Sequence, residues 1–263
     1  MDYNYRQDNY ETPESTRRMF GDYLSCGTRL FFFYRMIRVI IAANLKIKKK
    51  GCYTTEDWCD DSYYVCRSVE GCGTKIHIKG MSSMDKISGP VVFIGNHMST
   101  LETFLLPGIV CPRKPSSFIV KRELVESVYF GPIMRGTKPV VVGRENPIED
   151  LKTVLREGTD ILKSGRSMIV FPQSTRTAQF QPEEFNSIGV KLAKKAEVPI
   201  IPVAIKTDFW GNGKIIKDFG KINRDKDVYI EFGEPLQVEG SGKETHTKII
   251  EFIQKKLKEW ETH

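Results

Sequence analysis

The sequence has no uncharged apolar run near the roughly 18 residues that a membrane-spanning helix needs, so no such helix is expected. Cysteine is sparse: six residues, at 26, 52, 59, 66, 72 and 111, with no two in Cys-x-x-Cys spacing. No metal site is therefore expected, and reduced, partly buried thiols in a cytosolic compartment are. There is no zinc-finger spacing and no RNP-like pattern, which argues against nucleic acid as a partner. No Gly-x-Ser-x-Gly elbow, internal repeat or low-complexity segment is present. The first residues are acidic and polar, unlike a signal peptide, and none is expected. What remains is 263 residues, 40% hydrophobic and 28% charged, suited to one globular domain with an appendage. The net charge of +7 favours acidic partners, anionic lipid and the phosphates of coenzyme A among them.

The chemistry-bearing residues concentrate in Asn96-His97-Met98-Ser99-Thr100-Leu101-Glu102. Gly89-Pro-Val-Val-Phe-Ile-Gly95 before it is an apolar run bounded by glycines and reads as a buried strand. Thr103-Phe-Leu-Leu-Pro107 after it reads as helix. The polar residues thus sit at the carboxyl end of a strand, where open α/β sheets place their sites. Five positions on one continuous helix are ~500° apart, so His97 and Glu102 meet only if His97 lies in the turn and Glu102 in the first helical turn. Ser99-Thr-Leu-Glu102 also matches a capping box, with Ser99 as the helix cap and Glu102 at the third helical position. Two readings stay open on these residues alone. Glu102 bonds back to the Ser99 amide, or it fixes the His97 tautomer while the other ring nitrogen takes a substrate proton.

A second strand-to-turn stretch, Met168-Ile-Val-Phe-Pro-Gln-Ser-Thr-Arg-Thr177, ends in a polar segment bearing Arg176. Together the two stretches resemble the lysophospholipid acyltransferase family, whose type member is 1-acyl-glycerol-3-phosphate acyltransferase. That family's first motif is Asn-His-x-Ser-x-x-Asp, met here by Asn96 to Glu102. Its third is Phe-Pro-Glu-Gly-Thr-Arg-Ser, met by Phe171-Pro-Gln-Ser-Thr-Arg-Thr177. Val140-Val-Val-Gly-Arg144 resembles the second and Val198-Pro-Ile-Ile-Pro-Val203 the fourth. The resemblance implies acyl transfer from an acyl thioester, acyl-CoA or acyl carrier protein, to the hydroxyl of a lysophospholipid in phospholipid biosynthesis. No cofactor is implied beyond the co-substrate. His97 becomes the general base and Glu102 its orienting carboxylate, as in hydrolase triads. The family's acceptor carries a phosphate, for which Arg144 and Arg176 offer charge-assisted bonds and Lys121 a point charge. Gln173, Ser174 and Thr175 join them as substrate-binding residues.

Departures from the pattern at three positions bear on the chemistry. Glu102 replaces Asp and adds a methylene to the orienting arm. Gln173 and Ser174 replace Glu-Gly, removing a charge and adding a side chain where backbone approaches substrate. A different lysolipid acceptor and a non-catalytic lipid-binding or membrane-tethering protein on the same fold are therefore kept as alternatives.

The rest of the chain reads as α/β, with a mostly parallel, mixed central sheet flanked by helices. Residues 1–20 read as a loose tail, with a helix starting at Pro13. Leu30–Leu45 reads as a helix with Arg35, Arg38, Ala42 and Lys46 along one stripe, aromatic and aliphatic residues elsewhere, and a cationic end at Lys46–Lys50. Such a helix suits a membrane interface, and it resembles the family's bacterial docking helices. Residues 1–50 are thus assigned to tail and docking helix, and 51–263 to the acyltransferase domain. The expected location is peripheral and monotopic on the cytoplasmic side of an anionic membrane surface. Further expectations are an edge strand at Thr74–Lys79, a helix over Glu123–Phe130 stopped by Gly131-Pro132, a helix opened by Pro147, and a strand near Lys214–Phe219.

Overall fold

A computed structural model describes residues 7–214 and 216–262. The expected tail falls outside the described residues up to position 6, and beyond that the chain is tied down. Tyr10–Glu11 forms a short strand, β1, paired antiparallel to β2 (Ile76–Lys79) with Tyr10 opposite Ile78. The Tyr10 hydroxyl donates to the buried Glu70 carboxylate. β2 is therefore covered and is no edge strand. No helix starts at Pro13; α1 is Phe20–Leu24, followed by α2 (Leu30–Lys50) and α3 (Thr55–Glu70).

The chain then alternates through β3 (Val92–Gly95), α4 (Leu101–Val110), β4 (Ser116–Lys121), α5 (Arg122–Glu126), α6 (Gly131–Thr137) and β5 (Val140–Val142). It continues with α7 (Pro147–Lys163), β6 (Ser167–Val170), α8 (Ile188–Ala196), β7 (Ile200–Lys206), β8 (Val228–Phe232) and α9 (Lys243–Glu261). The strands form one sheet in the order β1-β2-β8-β7-β3-β6-β4-β5. β7, β3, β6, β4 and β5 are mutually parallel, while β8 runs antiparallel to β7 and parallel to β2. This is the mixed, mostly parallel α/β sheet that the sequence predicts.

Because both faces of β3 are covered, it is apolar throughout. Phe93 faces a core that includes Phe32, Met36, Val65, Leu105 and Phe209; Val92 and Ile94 face one with Val154, Leu162, Leu192 and Ile249. α4, which follows β3, is clamped to α3 at its own interruption. The Ser62 hydroxyl donates to the Leu105 carbonyl at 2.9 Å and accepts the Gly108 amide at 2.8 Å, beside Pro107. A Cβ on Gly108 would stand 2.6 Å from that hydroxyl, so only glycine permits the approach.

Two further expected elements differ. Gly131-Pro132 does not stop a helix but opens α6, since the missing proline N–H falls among the donors that a first turn leaves unpaired. Lys214–Phe219 is no strand: Ile215 lies outside the described residues, and Lys217–Phe219 makes a single 3-10 turn. Pro147 does open α7, with the Asn146 side chain accepting the Ile148 and Glu149 amides.

α2 is amphipathic, although its stripes are not those drawn from the sequence. Phe32, Met36, Val39 and Ala43 are buried, while Leu30, Tyr34, Ile37, Ile41 and Leu45 form an exposed apolar stripe at helical spacing. Arg35 and Lys46 do not line a free basic face. Arg35 donates to Ser68 and lies over the Tyr64 ring, and Lys46 pairs with Asp61 on α3. No helix of the described residues is long and apolar enough to cross a membrane.

Candidate active site

Parallel strands bring their carboxyl ends to one edge of the sheet, and the singled-out residues collect there. His97 follows β3, Lys121 ends β4, Arg144 follows β5, and Gln173 to Arg176 follow β6. At the end of β3 the Asn96 side chain prolongs the ladder to β7. Its Nδ2 donates to the Ile205 carbonyl at 2.7 Å and its Oδ1 accepts the Ile205 amide at 2.9 Å. The amide group mimics a peptide unit, so the main chain leaves the sheet at His97 without orphaned partners.

His97 Nδ1 lies 2.9 Å from Glu102 Oε1. The two readings of Glu102 turn out to be compatible. Oε1 also accepts the amides of Met98 at 2.7 Å and Ser99 at 2.8 Å. Oε2 accepts the hydroxyls of Ser99 at 2.9 Å and Thr207 at 2.6 Å. The helix starts one residue later than predicted: Thr100 is its N-cap, Glu102 its second residue, and the Ser99 hydroxyl accepts the Leu101 amide at 3.0 Å. Burial alone would push the Glu102 carboxyl up, but the His97 and Thr207 hydrogen bonds outweigh it and the group sits below its usual value. An ionised carboxylate only accepts, so in this pair it is His97 Nδ1 that carries a proton and donates.

Residues of the third motif hold His97 from the other side. Gln173 does not open toward solvent; it is 3% exposed. Its Oε1 accepts the His97 amide at 2.7 Å, and its Nε2 donates to Thr177 Oγ1 at 2.7 Å. The Thr177 amide in turn donates to the His97 carbonyl at 3.1 Å. Phe171 stacks on the imidazole with centroids 4.5 Å apart. Ser174 is exposed, and its carbonyl accepts from Arg144. Arg144 has a left-handed backbone, φ +65°, held by Asp150 of α7, which accepts the Gly143 and Arg144 amides. The Thr175 hydroxyl accepts from Lys217, and Arg176 donates to Thr100 and Asp218.

The three predicted cations thus share one mouth with Lys217. Partial burial lowers the Lys121 ammonium from its ordinary value, and the neighbouring charges of Arg144, Arg176 and Lys217 push it the same way. Sequence reasoning missed Thr207, although a threonine just past an apolar strand repeats the layout of the other motifs. It also missed the clasp made by Asn96, a residue inside the first motif. Nothing local marks Lys217 or Asp218, which arrive from a distant loop.

A profile described as Acyltransferase matches residues 75–206. The chain is 28% identical over 212 residues to the 1-acyl-sn-glycerol-3-phosphate acyltransferase of Pseudomonas aeruginosa, covering 80% of this chain and 77% of that protein. It is 26% identical over 195 residues to the Saccharomyces cerevisiae enzyme of the same name, covering 73% and 60%. To the probable 1-acyl-sn-glycerol-3-phosphate acyltransferase of Mycoplasma pneumoniae it is 32% identical over 136 residues, and it spans about half that relative's length. Among solved structures, the 1-acyl-sn-glycerophosphate (LPA) acyltransferase PlsC of Thermotoga maritima has the same fold, with TM-score 0.66 at 20% identity over 89% of this chain and 95% of that one.

Proposed function

Because the chain belongs to the acyltransferase family, matching its profile over residues 75–206 of 263, we propose that it moves a fatty acyl group from an acyl thioester to the hydroxyl of a lysophospholipid. The acceptor named by its relatives, 1-acyl-glycerol 3-phosphate, is the one this site suits. One observation carries the reading: an imidazole whose Nδ1 lies 2.9 Å from a fully buried carboxylate, beside a mouth of four cations.

In this mechanism His97 Nε2 takes the acceptor's hydroxyl proton as the oxygen attacks the thioester carbonyl. Glu102 stabilises the imidazolium, which returns the proton to the departing thiolate. The thioester is already activated, so neither a covalent enzyme intermediate nor a cofactor is needed. Arg144, Arg176, Lys121 and Lys217 receive the acceptor's phosphate. Gln173 and Asn96 keep His97 in place rather than binding substrate.

The docking surface in this proposal is the apolar stripe of α2, continued by Phe20, Tyr23 and Leu24 of α1, all exposed. Lys48 and Lys49, exposed at the end of α2, supply attraction to anionic headgroups worth about 1 kcal/mol each. A monotopic seat on a cytoplasmic leaflet would present acceptor and site at the same interface.

The test is thiol release in liposomes from acyl-CoA or acyl carrier protein, with a panel of lysolipids and glycerol 3-phosphate. Wild type should release thiol only with an acceptor present. His97→Ala should abolish that release, and Glu102→Gln should reduce it at least about 100-fold. Folded, membrane-bound protein that releases nothing with either donor would move the tethering alternative to the front.

A further inference from the structure

Arg176 is already occupied. Its guanidinium donates to Asp218 and to the Thr100 hydroxyl, and that hydroxyl donates to Asp218 Oδ1 at 2.7 Å. Asp218 is 54% exposed, at the opening rather than beneath it. Its neighbour Lys217 reaches the Thr175 hydroxyl, one residue from Arg176. A short loop has thus added one carboxylate and one ammonium to a mouth otherwise made of strand ends.

The loop is built to hold them there. Trp210 and Ile222 close it as an antiparallel bridge, and the Gly211 amide donates to the Lys221 carbonyl at 2.9 Å. Across it, the Trp210 indole N–H donates to the Asp218 carbonyl at 3.0 Å. A Cβ on Gly220 would overlap the Gly211 carbonyl, so the two limbs close tightly only with glycine there. Its outer side leans on α2: Phe219 packs against Phe33 with centroids 5.2 Å apart, and its carbonyl accepts from Arg29 at 2.9 Å.

We propose that Asp218 sets the charge an acceptor must carry, by competing with the acceptor's phosphate for Arg176. The inference rests on the acyl-transfer reading and names a determinant of its specificity. A phosphate monoester, with ≈ −1.5 to −2 charge at neutral pH and three free acceptor oxygens, outcompetes a single carboxylate for Arg176 and engages Lys217 as well. A phosphodiester headgroup has one charge and two free oxygens, matches the carboxylate and gains little by displacing it. Asp218 therefore weakens binding of every anionic acceptor and penalises phosphodiesters most.

Asp218→Asn keeps an oxygen for Thr100 and Arg176 but removes the charge. It should lower KM for lysophosphatidate by about 1.5- to fivefold, the range of a part-exposed ion pair, with little change in kcat. It should lower KM for lysophosphatidylglycerol more, eroding the discrimination between them, and Asp218→Glu should restore wild-type behaviour. A second readout is independent of catalysis: the rise in thermal midpoint produced by inorganic phosphate at constant ionic strength, which should be larger in Asp218→Asn. An unchanged or raised KM together with an unchanged phosphate response would overturn the proposal and assign Asp218 to holding the loop. If wild type acylates no lysolipid yet the phosphate response still grows in Asp218→Asn, the acyl-transfer reading fails and the competition for Arg176 stands.

Discussion

Thr207→Val isolates one hydrogen bond at the centre of the site. Thr207 is fully buried, and its hydroxyl donates to Glu102 Oε2 at 2.6 Å, the shorter of the two bonds that oxygen accepts from hydroxyls. Valine keeps the volume and branching and removes only the donor. A hydrogen bond to a charged group contributes about 1.5–3 kcal/mol, and a domain of this size loses ~2–4 °C of thermal midpoint per kcal/mol. The midpoint should fall by about 3–12 °C. With Oε2 held by Ser99 alone, the carboxylate can rotate away from His97 Nδ1. We expect kcat to fall about tenfold, which corresponds to ~1.4 kcal/mol of barrier, with acceptor KM unchanged. The deficit also has a pH signature. Glu102 is shifted below its ordinary value of 4.5, so its bonds stabilise the fold fully above that pH and are lost as pH falls through the folded value. Losing Thr207's bond leaves burial less opposed and raises the folded value. The difference in midpoint between variant and wild type should therefore be full at neutral pH and close in acid below about 4.5. Calorimetry across pH and thiol-release kinetics read both effects. Thr207→Ser should rescue them. A serine variant as damaged as the valine one, or a valine variant with wild-type midpoint and kcat, would refute the assignment.

Two further outcomes concern Gln173, and a third the exposed face of α2. Gln173→Ala should strand the part-buried His97 amide and lower kcat with little effect on KM, at a stability cost of ~1 kcal/mol. Gln173→Glu should keep most of the rate, since a carboxylate still accepts that amide and the Thr177 hydroxyl can turn to donate; a change confined to acceptor KM would instead place residue 173 against substrate. On α2, Ile37→Glu with Ile41→Glu replaces two residues exposed by 49% and 53%, so helicity should not change. At ~1.5 kcal/mol or more per isoleucine removed from lipid, partition onto anionic vesicles should drop at least about 100-fold by co-sedimentation; unchanged partition would assign docking to another face.

Local information sufficed for much of the site. A five-residue separation across a turn into a helix lets His97 and Glu102 meet without any distant contact, and runs such as Val91–Ile94 are legible because strands buried on both faces must be apolar. The order of strand, polar turn and helix then places the motif at a carboxyl end, and parallel pairing puts Lys121, Arg144 and Arg176 beside it. What the sequence left open depends on partners far along the chain. Whether Glu102 caps a helix or orients a histidine was undecidable from seven residues; five donors, one of them Thr207 from β7's end, let it do both. Gln173 looked like a substrate contact because side-chain direction is set by tertiary packing, which turns it onto the His97 amide. The composition of α2 allowed several stripes, and only the seat of α3 decided that Arg35 and Lys46 turn inward while Ile37 and Ile41 face out. Asp218 lies on a polar loop with no periodicity, and its charge acquires meaning only because the fold sets it on Arg176.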